Sequence, residues 1–368
     1  MIEIKGKTFS PNYAVAPGET LLETLEDLNM TQAELAERTG RPKKTINEII
    51  AGKASITAET ALQLERVLGV PASFWNSLER NYRETLARLE EEKRLQSDIE
   101  WLDIIPLAAM IKIGWIGKAQ SSIDQLKIAL NYFGVAGVSE WKVLWENRSA
   151  AYRKSEAFRR SPAAVAAWLR KGELDAQAIE CKPYNKNSFQ QALQEIRELT
   201  TKTPAVFEPA IRKLCAEVGV AVVFVPELPG TCTYGATQWL SPEKALIQLS
   251  LRGKTDDHLW FTFFHEAGHI SLHGKQEMFI ESKKERNPTE LAESENEKQA
   301  DKFAQTTLID ENELRLFIAH NQFDFLSIQQ FAKRLGLAAG IVVGRLQYEK
   351  LIPYSSPLNR LKHHFVFQ

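Results

Sequence analysis

The chain comprises 368 residues, and its 46 lysines and arginines nearly balance 47 aspartates and glutamates, for a formal net charge of -1. The length implies two or three domains and excludes a lone small module. The balanced charge excludes a uniformly basic nucleic-acid or membrane binder, so any such affinity must come from local clustering. With 44% hydrophobic and 25% charged residues, the composition is that of a globular chain rather than a disordered or fibrous one.

Met1 to Lys7 contains no apolar run of signal-peptide length, and the apolar stretch from Ile104 to Ile116 is short and interrupted by Lys112. Neither an export signal nor a membrane span is expected. Cys181, Cys215 and Cys232 are widely spaced and form no CxxC pair, which predicts buried free thiols in a protein of the reducing cytoplasm.

Residues 19 to 82 predict five short helices. Leu21, Leu22, Leu25 and Leu28 fall at helical spacing, and Thr31 with Glu34 forms a capping box that opens a second helix carrying Leu35 and Ala36. Gly40 ends it. Pro42 suits the start of a third helix with Ile46, Ile49 and Ile50 on its inward face, and Gly52 closes it. Thr57 is placed to cap a fourth helix with Ala61, Leu62, Leu64 and Leu68, and Phe74, Trp75 and Leu78 belong to a fifth.

Helices from Thr31 to Thr39 and Pro42 to Ala51, joined around a glycine, make a helix-turn-helix whose second member has the form to enter a major groove. With the isoleucines inward, Lys44 and Glu48 point outward, and Thr45 and Asn47 lie on the flanks. Arg38, Arg41, Lys43, Lys44 and Lys53 surround that surface with the positive charge that phosphate contacts require. The candidate DNA-contacting residues are Gln32, Arg41, Lys43, Lys44, Thr45 and Asn47.

The runs Pro17 to Leu21, Met30 to Ala36, Thr45 to Ile49 and Glu59-Thr60-Ala61 to Phe74-Trp75 resemble HigA-type antitoxins and XRE-family regulators across residues 10 to 85. The resemblance implies a homodimer on a palindromic, often autoregulated operator, sometimes with a toxin as partner. Such antitoxins commonly stop soon after this domain, whereas this chain continues well beyond it.

From Glu79 to Glu100 the chain is dense in Arg, Lys and Glu, with Leu86, Leu89 and Leu95 as the main apolar positions, which predicts a solvated spacer helix. Residues 101 to 172 carry apolar patterns of helix length that include Trp101, Trp115, Trp141, Trp145 and Trp168, read as a helical core.

Farther along, Gly219 to Pro226 reads as a short buried strand, and Ala245 to Leu251 as a strand with one wetter face carrying Gln248 and Ser250. Thr255-Asp256-Asp257 then caps a helix from Trp260 to His273 that contains His265-Glu266-Ala267-Gly268-His269, an HExxH motif. Histidines four apart share one helical face, so both imidazoles can reach one tetrahedral zinc ion, and the intervening glutamate is placed to take a proton from a water at the metal. His273 lies about 12 Å along the helix axis from His265, too far for all three histidines to share one ion. A metzincin would need a histidine where Lys275 stands.

Ser294 is placed to cap a helix from Glu295 to Thr307. Glu297 there would complete a His, His, Glu ligand set of the gluzincin kind, with Glu293 and Glu295 as alternatives, and Asp301 one turn on would hydrogen-bond the far nitrogen of a ligating histidine. His258 and His273 read as ordinary helix-end residues, and His320, His363 and His364 fall in no ligand pattern. Residues 327–336 and 338–348 form a last helix pair, expected to pack on the domain because Ile341, Val342, Val343 and Leu346 make its second helix strongly apolar.

The strip Thr233 to Ala236, the strand Ala245 to Leu251, the run Phe263 to His269 and the run Glu297 to Ala304 resemble the ImmA/IrrE family of zinc metallopeptidases over about residues 187 to 350. The resemblance assigns metal ligation to His265, His269 and Glu297 and the general-base role to Glu266. The family often has Asn where Asp301 stands. It implies a repressor-type protein substrate, cut in a stress, phage or mobile-element response. Two physical expectations accompany it: Ala245 to Leu251 as an edge strand that holds an extended peptide, and Tyr234 as a candidate for oxyanion stabilisation.

Together these features predict a mainly α chain with a small β-sheet, of α+β class: a helix-turn-helix domain over residues 1–85, a charged helical linker and middle region over 86–186, and a gluzincin-like metallopeptidase domain over 187–368. The expected protein is a cytoplasmic, dimeric DNA-binding regulator with one zinc ion per chain and zinc-dependent endopeptidase activity. The alternative is a nonenzymatic antitoxin-like repressor with a structural or sensory zinc site.

Overall fold

A computed structural model of the protein describes residues 13–151, 161–250, 255–274, 279–282 and 295–365. The chain divides into two compact units, residues 1–99 and 100–368.

The first unit is all helical: α1 (Pro17–Asp27), α2 (Gln32–Thr39), α3 (Lys43–Ile50), α4 (Ala58–Leu68) and α5 (Ala72–Ser97). The capping box forms as predicted. The Glu34 amide donates to Thr31 Oγ1 at 3.2 Å, and Glu34 Oε2 accepts from the Thr31 amide at 2.9 Å, which satisfies two otherwise orphaned donors. Gly40 ends α2 with φ +66°, and Thr57 caps α4 by accepting from the Thr60 amide. Leu21, Leu25, Leu35, Ile46, Ile49, Leu64 and Trp75 form the core.

The predicted fifth helix and the charged spacer are one continuous 26-residue helix, α5, in which residue 85 is internal. No Gly or Pro interrupts it, and Arg83–Glu79 and Arg88–Glu84 pairs at i, i+4 reinforce it. Glu79 is not a solvated spacer residue. Its Oε2 accepts from the buried Ile56 amide at 3.1 Å and so ties α5 to the loop before α4.

The second unit begins with α6 (Leu107–Lys112), α7 (Ser122–Phe133), α8 (Val138–Ala151) and α9 (Pro162–Gln177). Trp101, Phe133 and Trp141 pack edge to face, as a tryptophan-built helical core requires. Trp168 of α9 reaches farther, donating its indole N–H to the Val225 carbonyl at 3.1 Å, while Gln248 donates to the Trp168 carbonyl at 2.7 Å. Helix α9 therefore lies against the sheet.

Helices α10 (Lys186–Glu198) and α11 (Pro204–Ala216) lead into β1 (Val220–Val225), β2 (Thr233–Ser241) and β3 (Lys244–Ser250). After α12 (Asp256–Leu272) comes β4 (Phe279–Ser282), followed by α13 (Glu295–Leu308), α14 (Glu311–Ala319), α15 (Phe325–Leu335) and α16 (Ala339–Tyr348). The sheet order is β1-β3-β2-β4, with β1 and β3 parallel and the other two pairs antiparallel.

This order corrects the reading of β3. It is an interior strand, buried on both faces, and Leu251, the expected end of that strand, lies outside the described residues. Ala245, Ile247 and Leu249 join the core with Trp260 and Phe263 of α12. Gln248 and Ser250 are buried polar residues rather than wetted ones: Gln248 bonds the α9 backbone, and Ser250 donates to the Thr233 carbonyl at 2.7 Å. An interior strand has no free backbone edge for an added peptide. Among the described residues the outer strand beside the HExxH helix is β4.

Ile341, Val342, Val343 and Leu346 of α16 enter the same core as predicted. Of the three cysteines, all free, only Cys215 is buried; Cys181 and Cys232 are half-buried. Among the described residues no helix is long and apolar enough to cross a membrane.

Candidate functional site

Thr255 is the N-cap residue of α12, and Asp256 and Asp257 occupy the first turn, where carboxylates oppose the positive end of the helix. Thr255 makes no side-chain cap bond to the helix, and the helix starts four residues before the predicted Trp260. Asp257 pairs with Lys362 at 2.5 Å. Burial, then the neighbouring Asp257, push the Asp256 carboxyl up to about 6.

Two turns on, His265, Glu266 and His269 are all buried. Helix α13 approaches α12 closely at Gly268: a Cβ built there would stand 3.2 Å from Ala300 Cα and from Phe303 Cβ. That contact delivers Glu297 to the two histidines. The His265 and His269 Nε2 atoms lie 3.0 Å apart, Glu297 Oε2 is 3.3 Å from His265 Nε2, and Glu297 Oε1 is 3.7 Å from His269 Nε2. Among the described residues these three form the one group able to hold a metal ion, with all ligating atoms within 4.8 Å of one another. Nitrogen and oxygen ligands about 2.0 to 2.1 Å from a tetrahedral zinc ion stand roughly 3.3 to 3.5 Å from each other, so the donor set and its spacing fit zinc.

Asp301 lies against the far side of the His265 ring. Its Oδ1 is 2.8 Å from His265 Nδ1, so that ring nitrogen donates and leaves Nε2 with its lone pair toward Glu297. Burial, with smaller contributions from His265 and His273, pushes the His269 imidazole down to about 2, which keeps it neutral, as ligation requires. Glu295 is exposed and outside the group, while Glu293 and the predicted cap Ser294 lie outside the described residues.

Glu266 is held from the sheet. Thr237 Oγ1 on β2 donates to Glu266 Oε2 at 2.6 Å and to the Glu266 carbonyl at 3.2 Å. Two residues earlier on the same strand face, Gly235 leaves room for that carboxylate: a Cβ there would lie 2.7 Å from Glu266 Oε1 and from Thr262 Cγ2. Thr237 was not anticipated. Its signal was the period-two array Thr233, Gly235, Thr237 of small residues, which shows only once the segment is seen as a strand against α12. The Tyr234 ring stacks on His258 with centroids 5.9 Å apart, two turns before His265, and His258 is exposed near the helix start.

In the first unit, α3 buries Ile46 and Ile49, and exposes Lys43, Lys44 and Asn47, with Thr45 half-buried. Lys43, Lys44, Asn47, Glu48, Ala51 and Lys53 line a shallow concavity. Gln32 is half-buried at the start of α2. Arg41 is not a free surface cation as its sequence position suggested. Its Nε donates to Gln63 Oε1 at 2.6 Å and its guanidinium pairs with Glu59 at 3.3 Å, which fastens the turn between α2 and α3 to α4.

Comparison with known proteins agrees with both regions. Residues 21–75 match the helix-turn-helix family, and residues 218–347 match the IrrE N-terminal-like domain of the M78 peptidases. An Escherichia coli (strain K12) protein described as the uncharacterized HTH-type transcriptional regulator YddM is 32% identical over 63 residues, which are 17% of this chain and 67% of the relative. An addiction module antidote protein of the HigA family from Coxiella burnetii is 33% identical, over 23% of this chain and 92% of that one, with a TM-score of 0.22. The Pseudomonas aeruginosa antitoxin HigA, solved with the higBA promoter, is 28% identical over 23% of this chain and 94% of its own, also with a TM-score of 0.22. Through residues 21–75 the chain belongs to the helix-turn-helix regulators, and over residues 218–347 it carries a domain of the IrrE-like M78 peptidase family.

Proposed function

We propose that the protein is a cytoplasmic, homodimeric DNA-binding regulator whose carboxyl-terminal domain is a zinc endopeptidase that cleaves a repressor-type protein in a stress, phage or toxin-antitoxin response. In this reading residues 1–85 bind operator DNA, a toxin being a further possible partner, residues 86–186 connect, and residues 187–368 hold one zinc ion and cut. The convergence of His265, His269 and Glu297 around one point, with Glu266 beside it, carries the peptidase half.

His265, His269 and Glu297 would hold the ion, with Asp301 fixing the His265 ring. Bound zinc supplies Lewis acidity toward a peptide carbonyl and toward water. Glu266 accepts the proton of the attacking water and returns it to the leaving amine, and Thr237 holds the carboxylate in place for both transfers. A second reading, a nonenzymatic repressor with a structural or sensory zinc site, draws on that same Thr237 bond, since a glutamate anchored to the sheet also props the helix.

Metal removal tests the two. The purified zinc-loaded chain, incubated with repressors encoded beside its gene, is expected to produce discrete fragments. A chelator such as 1,10-phenanthroline should stop this, and added zinc should restore it. A zinc-loaded chain that cuts none of these repressors, with or without chelator, sinks the peptidase reading and leaves the second one standing.

The DNA half is tested at α3. Lys43→Ala with Lys44→Ala removes two exposed cations, so affinity for the DNA upstream of the chain's own gene should fall, and the slope of log affinity against log salt should shrink by about 2. Unaltered affinity and slope would remove α3 from the DNA interface.

A further inference from the structure

His273 follows the last residue of α12, one turn beyond His269, and reads in sequence as an ordinary helix-end residue. Its ring is engaged on both nitrogens. His273 Nδ1 lies 3.0 Å from His269 Nδ1, and His273 Nε2 lies 3.3 Å from Gln299 Oε1 on α13. The donors along this chain of contacts follow from its Gln299 end. An amide oxygen only accepts, so His273 Nε2 carries the hydrogen and donates to Gln299. With its hydrogen on Nε2, the His273 ring presents Nδ1 as an acceptor, so His269 Nδ1 donates to it. The hydrogen on His269 is thereby held at Nδ1, and His269 Nε2 is left with its lone pair facing His265 Nε2 and Glu297.

We infer that His273 is a positioning residue that fixes the tautomer and ring orientation of His269 for metal ligation, with Gln299 as its own anchor. This inference rests on the metal-centre reading above. It gives each histidine of the centre a partner at its far nitrogen, Asp301 for His265 and His273 for His269. The face of the His269 ring is fixed as well: Phe279 of β4 stacks on it with centroids 3.8 Å apart, 14° from parallel, and also packs against His273 at 5.2 Å. One aromatic residue and one acceptor thus leave His269 little rotational freedom. The two partners differ in strength, because a carboxylate accepts a stronger hydrogen bond than a neutral imidazole. Loss of His273 should therefore weaken the centre without abolishing it.

The test uses the full chain and reads zinc affinity, by competition with a chromophoric chelator, and the visible absorption of the cobalt-substituted protein. His273→Phe keeps a ring against Phe279 and removes the acceptor; it should bind zinc about tenfold more weakly and shift the cobalt bands. His273→Asn places an amide oxygen near the Nδ1 position and should return both readouts close to the parent. Gln299→Leu, at an exposed position on α13, should weaken zinc binding by a smaller factor and decides the matter if His273→Phe fails to fold. His265→Ala separates the two levels of the argument. If the parent takes up no zinc, or His265→Ala binds as tightly as the parent, the metal-centre reading fails and takes this inference with it. If His265→Ala loses zinc while His273→Phe and Gln299→Leu match the parent in affinity and spectrum, the positioning role alone is overturned.

Discussion

Glu266→Gln is expected to take up zinc and to bind operator DNA as the parent does, while cleaving its substrate at least about 100-fold more slowly. The substitution isolates the proton transfer. Glu266 is fully buried, and glutamine has nearly its volume, so neither a cavity nor a clash is introduced. Thr237 donates its hydroxyl hydrogen to Glu266 Oε2, and an amide oxygen accepts the same bond, so the tie to β2 survives. The lost property is the ability to accept a proton from water. Glu266→Ala would be a poorer probe, because it also empties a packed site and leaves the buried Thr237 hydroxyl without this acceptor. Equal cleavage rates for Glu266→Gln and the parent would remove Glu266 from the chemistry. Lost zinc uptake in the same variant would instead make it a support of the metal site.

How far the sequence could be read depended on the range over which each feature is determined. The capping box at Thr31 and Glu34, the glycine end of α2, and the HExxH spacing rest on neighbours within one helical turn, and they form as read. Asp301 was legible because one turn of helix links it to Glu297. The sheet order was not. The residues of β2 include Thr, Tyr, Gly and Ala without a hydrophobic alternation, β4 has four residues, and neither reads as a strand alone. The polar residues of β3 suggested a wet face because their partners are remote. Gln248 bonds a carbonyl 80 residues earlier, on a helix whose place against the sheet no local pattern discloses. Arg41 shows the same limit for charge: basic in sequence, it is tied to Gln63 and Glu59 on α4. His273, which reads as a helix end, touches His269 of the candidate metal centre on one side and Gln299 on a second helix on the other.

Gly235→Ala is expected to fold and keep its zinc while cleaving about 100-fold more slowly, although residue 235 is neither a metal ligand nor a proton-transfer group. A methyl group there would stand 2.7 Å from Glu266 Oε1, 2.7 Å from Thr262 Cγ2 and 2.9 Å from Glu266 Cγ, all inside contact distance. Strand β2 cannot retreat easily, since Gly235 is paired to Leu249 on one side and to Glu281 on the other. Thr262 is β-branched, buried and in the middle of α12, so its rotamer is also held. The Glu266 side chain is the softest of these neighbours. It should swing away, breaking the Thr237 bond and moving the carboxylate by about 1 Å, a displacement on the scale that costs a rate factor of this size. The overpacking should also lower stability by about 1 to 3 kcal/mol. The atoms nearest the new methyl group belong to Glu266 and Thr262 and not to the ligands His265 and His269, so zinc affinity should hold. Combining Gly235→Ala with Glu266→Gln then separates a displaced base from a general loss of fold. If the methyl group acts only through Glu266, the double variant should be no slower than Glu266→Gln alone, since a base already lost cannot be displaced. Multiplying rate losses in the double variant, or a parental rate in a folded Gly235→Ala, would show that β2 does not place this carboxylate.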